Sequence, residues 1–63
     1  MSDFKSRLID EKDQLQDKTE KLDAFLKSDK SNEIDNVQRD LLLIQLSSMI
    51  TYLNVLTIRI ERL

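Results

Sequence analysis

The sequence predicts an all-α protein, an antiparallel two-helix hairpin that assembles into a homo-oligomeric helical bundle, and three observations carry that prediction. No Gly and no Pro occurs among its 63 residues, which suits long helices joined once and denies a sheet its tight turns. Apolar residues recur at alternating spacings of three and four on both sides of one polar cluster, the period of helices packed lengthwise. The second periodic stretch is apolar well beyond one seam, so a single partner helix leaves part of it uncovered.

The chain reads as one domain, residues 1–63, with a helix over 3–28, a loop over 29–35 and a second helix over 36–62. Ser2 or Asp3 caps the first helix, the acid at the positive end of the dipole. Leu8, Leu15 and Leu22 take one heptad position, which makes Phe4, Glu11, Lys18 and Phe25 the companion position. The seam is then apolar at both ends and polar in the middle, with Ile9, Ala24 and Leu26 widening it near the ends. Lys5, Lys12, Asp13, Gln16, Asp17, Glu20 and Lys27 form a solvated face.

The run SDKSNE, residues 28–33, is the turn cluster of the hairpin. Asp35 and Gln38 have the spacing of a capping box, which starts the second helix near Asn36, and Ile34 is placed to staple its first turn. Along that helix Leu42, Leu46, Met49, Leu53, Leu56, Ile60 and Leu63 form the seam, Leu43 and Ile50 flank it, and Leu41, Ile44, Val55 and Ile58 lie further round. So much apolar surface exceeds what 63 residues bury in one copy, hence the expectation of self-association. The stretch from Leu41 to Ile58 is uncharged and close to the length of a membrane span. Gln45, Ser47, Ser48, Thr51, Asn54 and Thr57 interrupt it, which favours amphipathic packing over a bilayer.

Composition removes several function classes. With no Cys and no His, the chain lacks the commonest general base, soft metal ligands and strongest nucleophile, so no enzyme, catalytic residue or cofactor is expected. Asp10, Glu11 and Asp13 point apart at helical spacing, so no metal site is expected either. A net charge of −2 gives no electrostatic case for a nucleic acid polymer or an anionic membrane. The N-terminal MSDFKSRLIDEK does not read as a signal peptide.

In an antiparallel hairpin closing near Ser31 and Asn32, facing residues have numbers summing to about 63. Glu11 then comes level with Tyr52, and Lys18 with Gln45, so a polar stripe that also includes Arg59 runs along the hairpin interface. One reading makes these pairs hydrogen-bonded layers that fix register. The other makes the stripe the wall of a pocket between subunits: Arg7, Lys18, Lys21 or Arg59 neutralises an anion, Glu11 orients the arginines, and Phe4 or Tyr52 stacks on a flat ring. Bland alternatives are a core role for Tyr52, an Arg59 ion pair with Glu11 or Asp3, and a Lys21 stem laid on apolar surface.

The pattern Phe4, Arg7, Glu11, Leu15, Lys18, Lys21, Leu22, Phe25, Leu26, then Leu42, Gln45, Met49, Tyr52, Leu56, Arg59 and Ile60 resembles a family of very short helical-hairpin proteins encoded by tailed phages, including relatives of an open reading frame of crAss-like phages. Phage proteins of similar form include sponges that defeat CBASS and Thoeris defences by holding cyclic nucleotide or ADP-ribose-type signals between subunits. By analogy of form, the resemblance implies a non-catalytic binder of such a messenger, working as a homo-oligomer in the cytoplasm of an infected bacterium. The alternative is a helical adaptor or inhibitor that docks its apolar second helix on a host or phage protein.

Overall fold

The computed structural model describes residues 3–63; Ser2, an alternative cap, lies outside the described residues. Two helices, α1 (Phe4–Lys27) and α2 (Asn36–Glu61), are joined by a 3-10 turn, Asp29–Glu33, and pack lengthwise as a hairpin. The molecule measures 45 × 18 × 14 Å. It is one helix thick in its shortest direction, given a helix diameter of about 10–12 Å, so only side chains aimed at the neighbouring helix escape solvent.

Asp3 caps α1: its Oδ1 accepts from the Ser6 backbone N–H at 2.6 Å, and its carbonyl accepts from Arg7 N–H at 3.2 Å. The Ser6 hydrogen bond holds the Asp3 carboxyl below its ordinary pKa. At the other end of α1 there is no glycine to turn the chain through a left-handed conformation, and among the described residues no φ is positive. Ser28 instead goes extended, its N–H and Oγ both donating to Phe25 O, at 3.1 and 2.6 Å. Buried Ser31 shares its hydroxyl proton between Leu26 O at 3.2 Å and Ser28 O at 2.8 Å. Two hydroxyls thus satisfy carbonyls that a helix end would otherwise leave open.

Helix α2 starts one residue after Asp35, but the capping box is not made, since the Asp35 side chain accepts no cap hydrogen bond. The Arg39 backbone N–H donates to Asp35 O at 2.9 Å, while the Arg39 guanidinium reaches Asn32 Oδ1 at 3.4 Å and ties the turn to the helix. Ile34 is half-buried beside this junction.

The α2 seam carries the core as its spacing predicts: Leu56 is fully buried and Leu42, Leu46, Met49, Leu53 and Ile60 are half-buried. Terminal Leu63 is exposed. On α1 the leucine position is right, but of its expected companions Phe4, Glu11, Lys18 and Phe25 only Phe25 is half-buried. Leu8, Leu15 and Leu22 face α2, but they are joined by Lys12, Thr19 and Leu26, on the opposite side of the leucine line from Glu11 and Lys18, which are exposed. The physical reason is cost. Burying Glu11 and Lys18 desolvates two charges, whereas Thr19 satisfies its own hydroxyl by donating to Leu15 O at 2.7 Å, and Lys12 needs only its aliphatic stem inside.

By length and composition α2 is apolar enough to cross a membrane, with a mean hydropathy of 1.7 over its best window, of which only 6% is buried. Half of the 24 residues of α1 are charged, however. A hairpin inserted as a unit would carry them into hydrocarbon at about 2.5–3.5 kcal/mol for each Asp, Lys or Arg near the centre, which argues against a span by this hairpin.

Candidate functional site

The residues of the expected polar stripe lie at the surface of the hairpin and not within its seam. Glu11, Lys18, Gln45, Tyr52 and Arg59 are all exposed, as is Phe4. No hydrogen bond or ion pair joins Glu11 to Tyr52, or Lys18 to Gln45, among the described residues. The register-fixing layers expected at these pairs are therefore not present in the protomer. Gln45 donates instead along its own helix to Met49 Sδ at 4.0 Å, and Tyr52 is a surface aromatic, 45% exposed.

What the register rule does predict is which residues share a side. The Arg59 guanidinium lies over the Phe4 ring, 5.9 Å from its centroid, so the first and last turns meet at the level where the two numbers sum to 63. Successive heptad steps from Phe4 carry α1 through Glu11, Lys18 and Phe25, and steps back from Arg59 carry α2 through Tyr52, Gln45 and Gln38. Heptad spacing thus assigns Phe4, Glu11 and Lys18 of α1 and Arg59, Tyr52 and Gln45 of α2 to the same edge of the hairpin, with the Arg59–Phe4 contact at its end. Arg59 makes this cation–π contact and not the ion pair with Glu11 or Asp3.

Arg7 is exposed, three residues on from Phe4, at the outer margin of the same flank. Lys21 does not lie over apolar surface. It points outward and pairs with Asp17 at 2.9 Å, its side chain 76% exposed; Lys27 pairs with Asp23 in the same way at 3.0 Å. Exposed i,i+4 pairs of this kind hold their side chains weakly, so Lys21 remains free to exchange partners.

The sequence reading gave Thr19 no role and placed Ser31 only where the hairpin closes, yet both are buried. A signal for Thr19 was available: it lies four residues after Leu15, whose carbonyl a threonine hydroxyl can reach. Neither residue faces the flank.

Chemically, the flank offers a guanidinium on an aromatic ring, a second aromatic, a lysine, an amide and one carboxylate. That set suits a ligand with a flat ring and an anionic group. Among the described residues the protomer encloses no pocket and holds no group of acidic residues arranged for a metal. A ligand lying on this flank has protein on one side only.

Among proteins of known sequence and structure, none of the curated proteins and none of the solved structures matches the chain. A family model described as Sequestin matches residues 2–62, nearly the full length.

Proposed function

This chain belongs to the Sequestin family, and from that membership we propose that it binds and sequesters a small nucleotide-derived ligand without transforming it. The observation that carries the reading is the two-helix flank, where Arg59 stacks on Phe4 at 5.9 Å beside Tyr52, Gln45, Lys18 and Glu11. Arg59 and Lys18 supply positive charge for phosphate, with Arg7 and Lys21 at the margin. Tyr52 and Phe4 supply faces for a base. Sequestration requires tight binding and slow release, with no bond broken, and the chain carries neither His nor Cys.

A site that retains a drug-sized ligand usually buries about 70–90% of its surface. An open flank on a thin hairpin does not do so, which is why the reading places the ligand between subunits of a homo-oligomer. The ligand class is a cyclic nucleotide or ADP-ribose-type immune messenger, and the setting is phage defeat of bacterial defence inside the host cytoplasm. Both extend the family's name through the likeness of form to phage sponges.

Calorimetry against cyclic dinucleotides, cyclic trinucleotides and cyclic ADP-ribose isomers tests the reading. At least one should bind with submicromolar affinity, and Arg59→Ala should weaken that binding at least tenfold, about 1.4 kcal/mol, with helicity unchanged. A folded oligomer that binds none of the panel overturns it.

The exposed outer face of α2 favours a second reading, an adaptor or inhibitor that docks this face on another protein. Solution mass separates the two. A stable homo-oligomer with that face buried leaves the adaptor no surface, whereas a monomer that captures one host protein in stoichiometric amount replaces the sponge.

A further inference from the structure

The outer face of α2 carries a second heptad line, distinct from the seam that meets α1. Val37, Leu41, Ile44, Ser48, Thr51, Val55, Ile58 and Arg62 follow one another at spacings of four and three. Every one of them is exposed in the protomer, and the five aliphatic side chains range from 48% exposure at Val55 to 63% at Val37 and Ile44. Eight consecutive heptad positions facing water on one helix are a coiled-coil seam without its partner.

The order along this line says what the partner is. Its inner six positions read alike from Leu41 inward and from Ile58 inward, two aliphatic residues and then a small hydroxyl: Leu41 mirrors Ile58, Ile44 mirrors Val55, and Ser48 mirrors Thr51, while the end positions Val37 and Arg62 differ. Each mirrored pair sums to 99. A seam that reads alike in both directions is complementary to its own copy laid antiparallel, the isologous arrangement of a twofold dimer. We propose that α2 pairs antiparallel with α2 of a second copy about a twofold axis between Ser48 and Thr51, stacking Leu41 on the partner's Ile58 and Ile44 on the partner's Val55.

Local chemistry fits this pairing at the centre and at the ends. Ser48 Oγ donates to Ile44 O at 3.1 Å and Thr51 Oγ1 to Ser47 O at 3.2 Å, so the two hydroxyls at the axis are satisfied within their own helix and enter a dry interface at little cost. Their small size lets the backbones approach at the crossing. At the outermost layer Val37 meets the partner's Arg62, and Asp40, one turn along, supplies the opposite charge. Standard interfaces take about 800 Å² from each partner, about a sixth of the 5012 Å² protomer surface, and one face along a 26-residue helix is of that order.

The pairing also completes the flank. Gln38, Gln45, Tyr52 and Arg59 occupy the position next to this seam on the side towards the interhelical groove, and in an antiparallel pair such positions face their own kind. Gln45 of each copy therefore comes beside the partner's Tyr52, and the two polar flanks merge into one wall four helices wide. The interface rests on the α2 pattern alone, while the use of that wall for a ligand rests on the sequestering function proposed above.

Two charge variants of the full chain, measured by sedimentation equilibrium with helicity followed by circular dichroism, test the register. In the antiparallel pairing Ser48 meets the partner's Thr51, so S48E/T51K places opposite charges together on both sides of the axis, and S48E/T51E places like charges together. The wild type should sediment at an even multiple of 7.4 kDa, and S48E/T51K, which replaces small residues with a bulkier ion pair, should keep that mass with a larger dissociation constant. S48E/T51E should dissociate at least a hundredfold more readily. A parallel pairing would set Glu on Glu and Lys on Lys and break S48E/T51K as badly. Equal loss in both variants, equal persistence of both, or a helical wild type that is monomeric or trimeric at 100 µM each overturns the proposal. A wild type that dimerises in this register yet binds no nucleotide leaves the interface standing and removes only the ligand reading.

Discussion

The two helices are nearly equal in length, 24 and 26 residues, and each gives one face to the other, yet their remaining surfaces differ in kind. Outside its seam α1 is mostly Lys, Asp, Glu and Gln, with Phe4 and Ile9 as its exposed large apolar side chains, and its exposed ion pairs, Lys21 with Asp17 and Lys27 with Asp23, are the ordinary finish of a solvated helix. Outside its own seam α2 exposes Val37, Leu41, Leu43, Ile44, Ile50, Val55 and Ile58. One helix is finished against water and the other is not. Contiguous exposed apolar surface of this kind marks an interaction site, so the asymmetry points to an interaction surface on the side of α2 that α1 leaves bare.

The sharpest way to break that comparison is to remove the same type of side chain from each face of α2. Leu56 is fully buried against α1, and Leu56→Ala should cost about 2–5 kcal/mol, enough to unfold much of a hairpin this small. Ile44 lies on the outer face, and Ile44→Ala should change intra-hairpin packing by no more than about 0.5 kcal/mol. Its cost should appear through association, as a urea midpoint that depends on protein concentration. Equal, concentration-independent losses at both positions would mean that the two faces of α2 are not different in kind.

Glu11 and Lys18 sharpen the comparison on the α1 side. They stand next to the leucine line but in water, so Glu11→Ala and Lys18→Ala should each change the urea midpoint by the equivalent of no more than about 0.5 kcal/mol. Were they hydrogen-bonded layers inside the seam, each truncation would strand a buried polar partner, at a cost of about 1–3 kcal/mol.

That pair also shows where the sequence was legible and where it was not. The hairpin follows from period, from the single polar cluster and from the lack of Gly and Pro. The α2 seam follows because its residues are nearly all aliphatic, whereas the outer line of the same length is interrupted by Ser48 and Thr51. In α1 the leucine line has two possible companions, Phe4-Glu11-Lys18-Phe25 and Lys12-Thr19-Leu26, and period alone cannot choose between them. The aromatic ends of the first line favour it by hydrophobicity, while the desolvation of its two charges rules it out. The level of Phe4 with Arg59 was readable from hairpin arithmetic, because it depends on loop position and not on which side of the leucines is buried. The missing capping bond at Asp35 was not readable, since the spacing to Gln38 is right and only the backbone entering the helix decides whether the carboxylate turns inward.

The smallest effect belongs to the start of α1, where the charged helix meets solvent. Asp3 accepts the Ser6 N–H at 2.6 Å and its carboxyl titrates below the ordinary value for that reason. A carboxyl whose folded pKa is lowered contributes stability that is fully present above its unfolded pKa and is lost as pH falls through the folded one. The first turn should therefore fray as pH drops below the usual aspartate range, read as falling protection of the Ser6 and Arg7 amides in hydrogen exchange. Asp3→Asn keeps an acceptor at the cap without the titrating proton, so its first-turn protection should not respond to acid. The outer face of α2 carries no carboxylate between Leu41 and Ile58, so amides there should keep their protection across the same pH range. A parallel loss at both places would tie the capped end of α1 to the outer face of α2 and remove the independence of the two helices' surfaces.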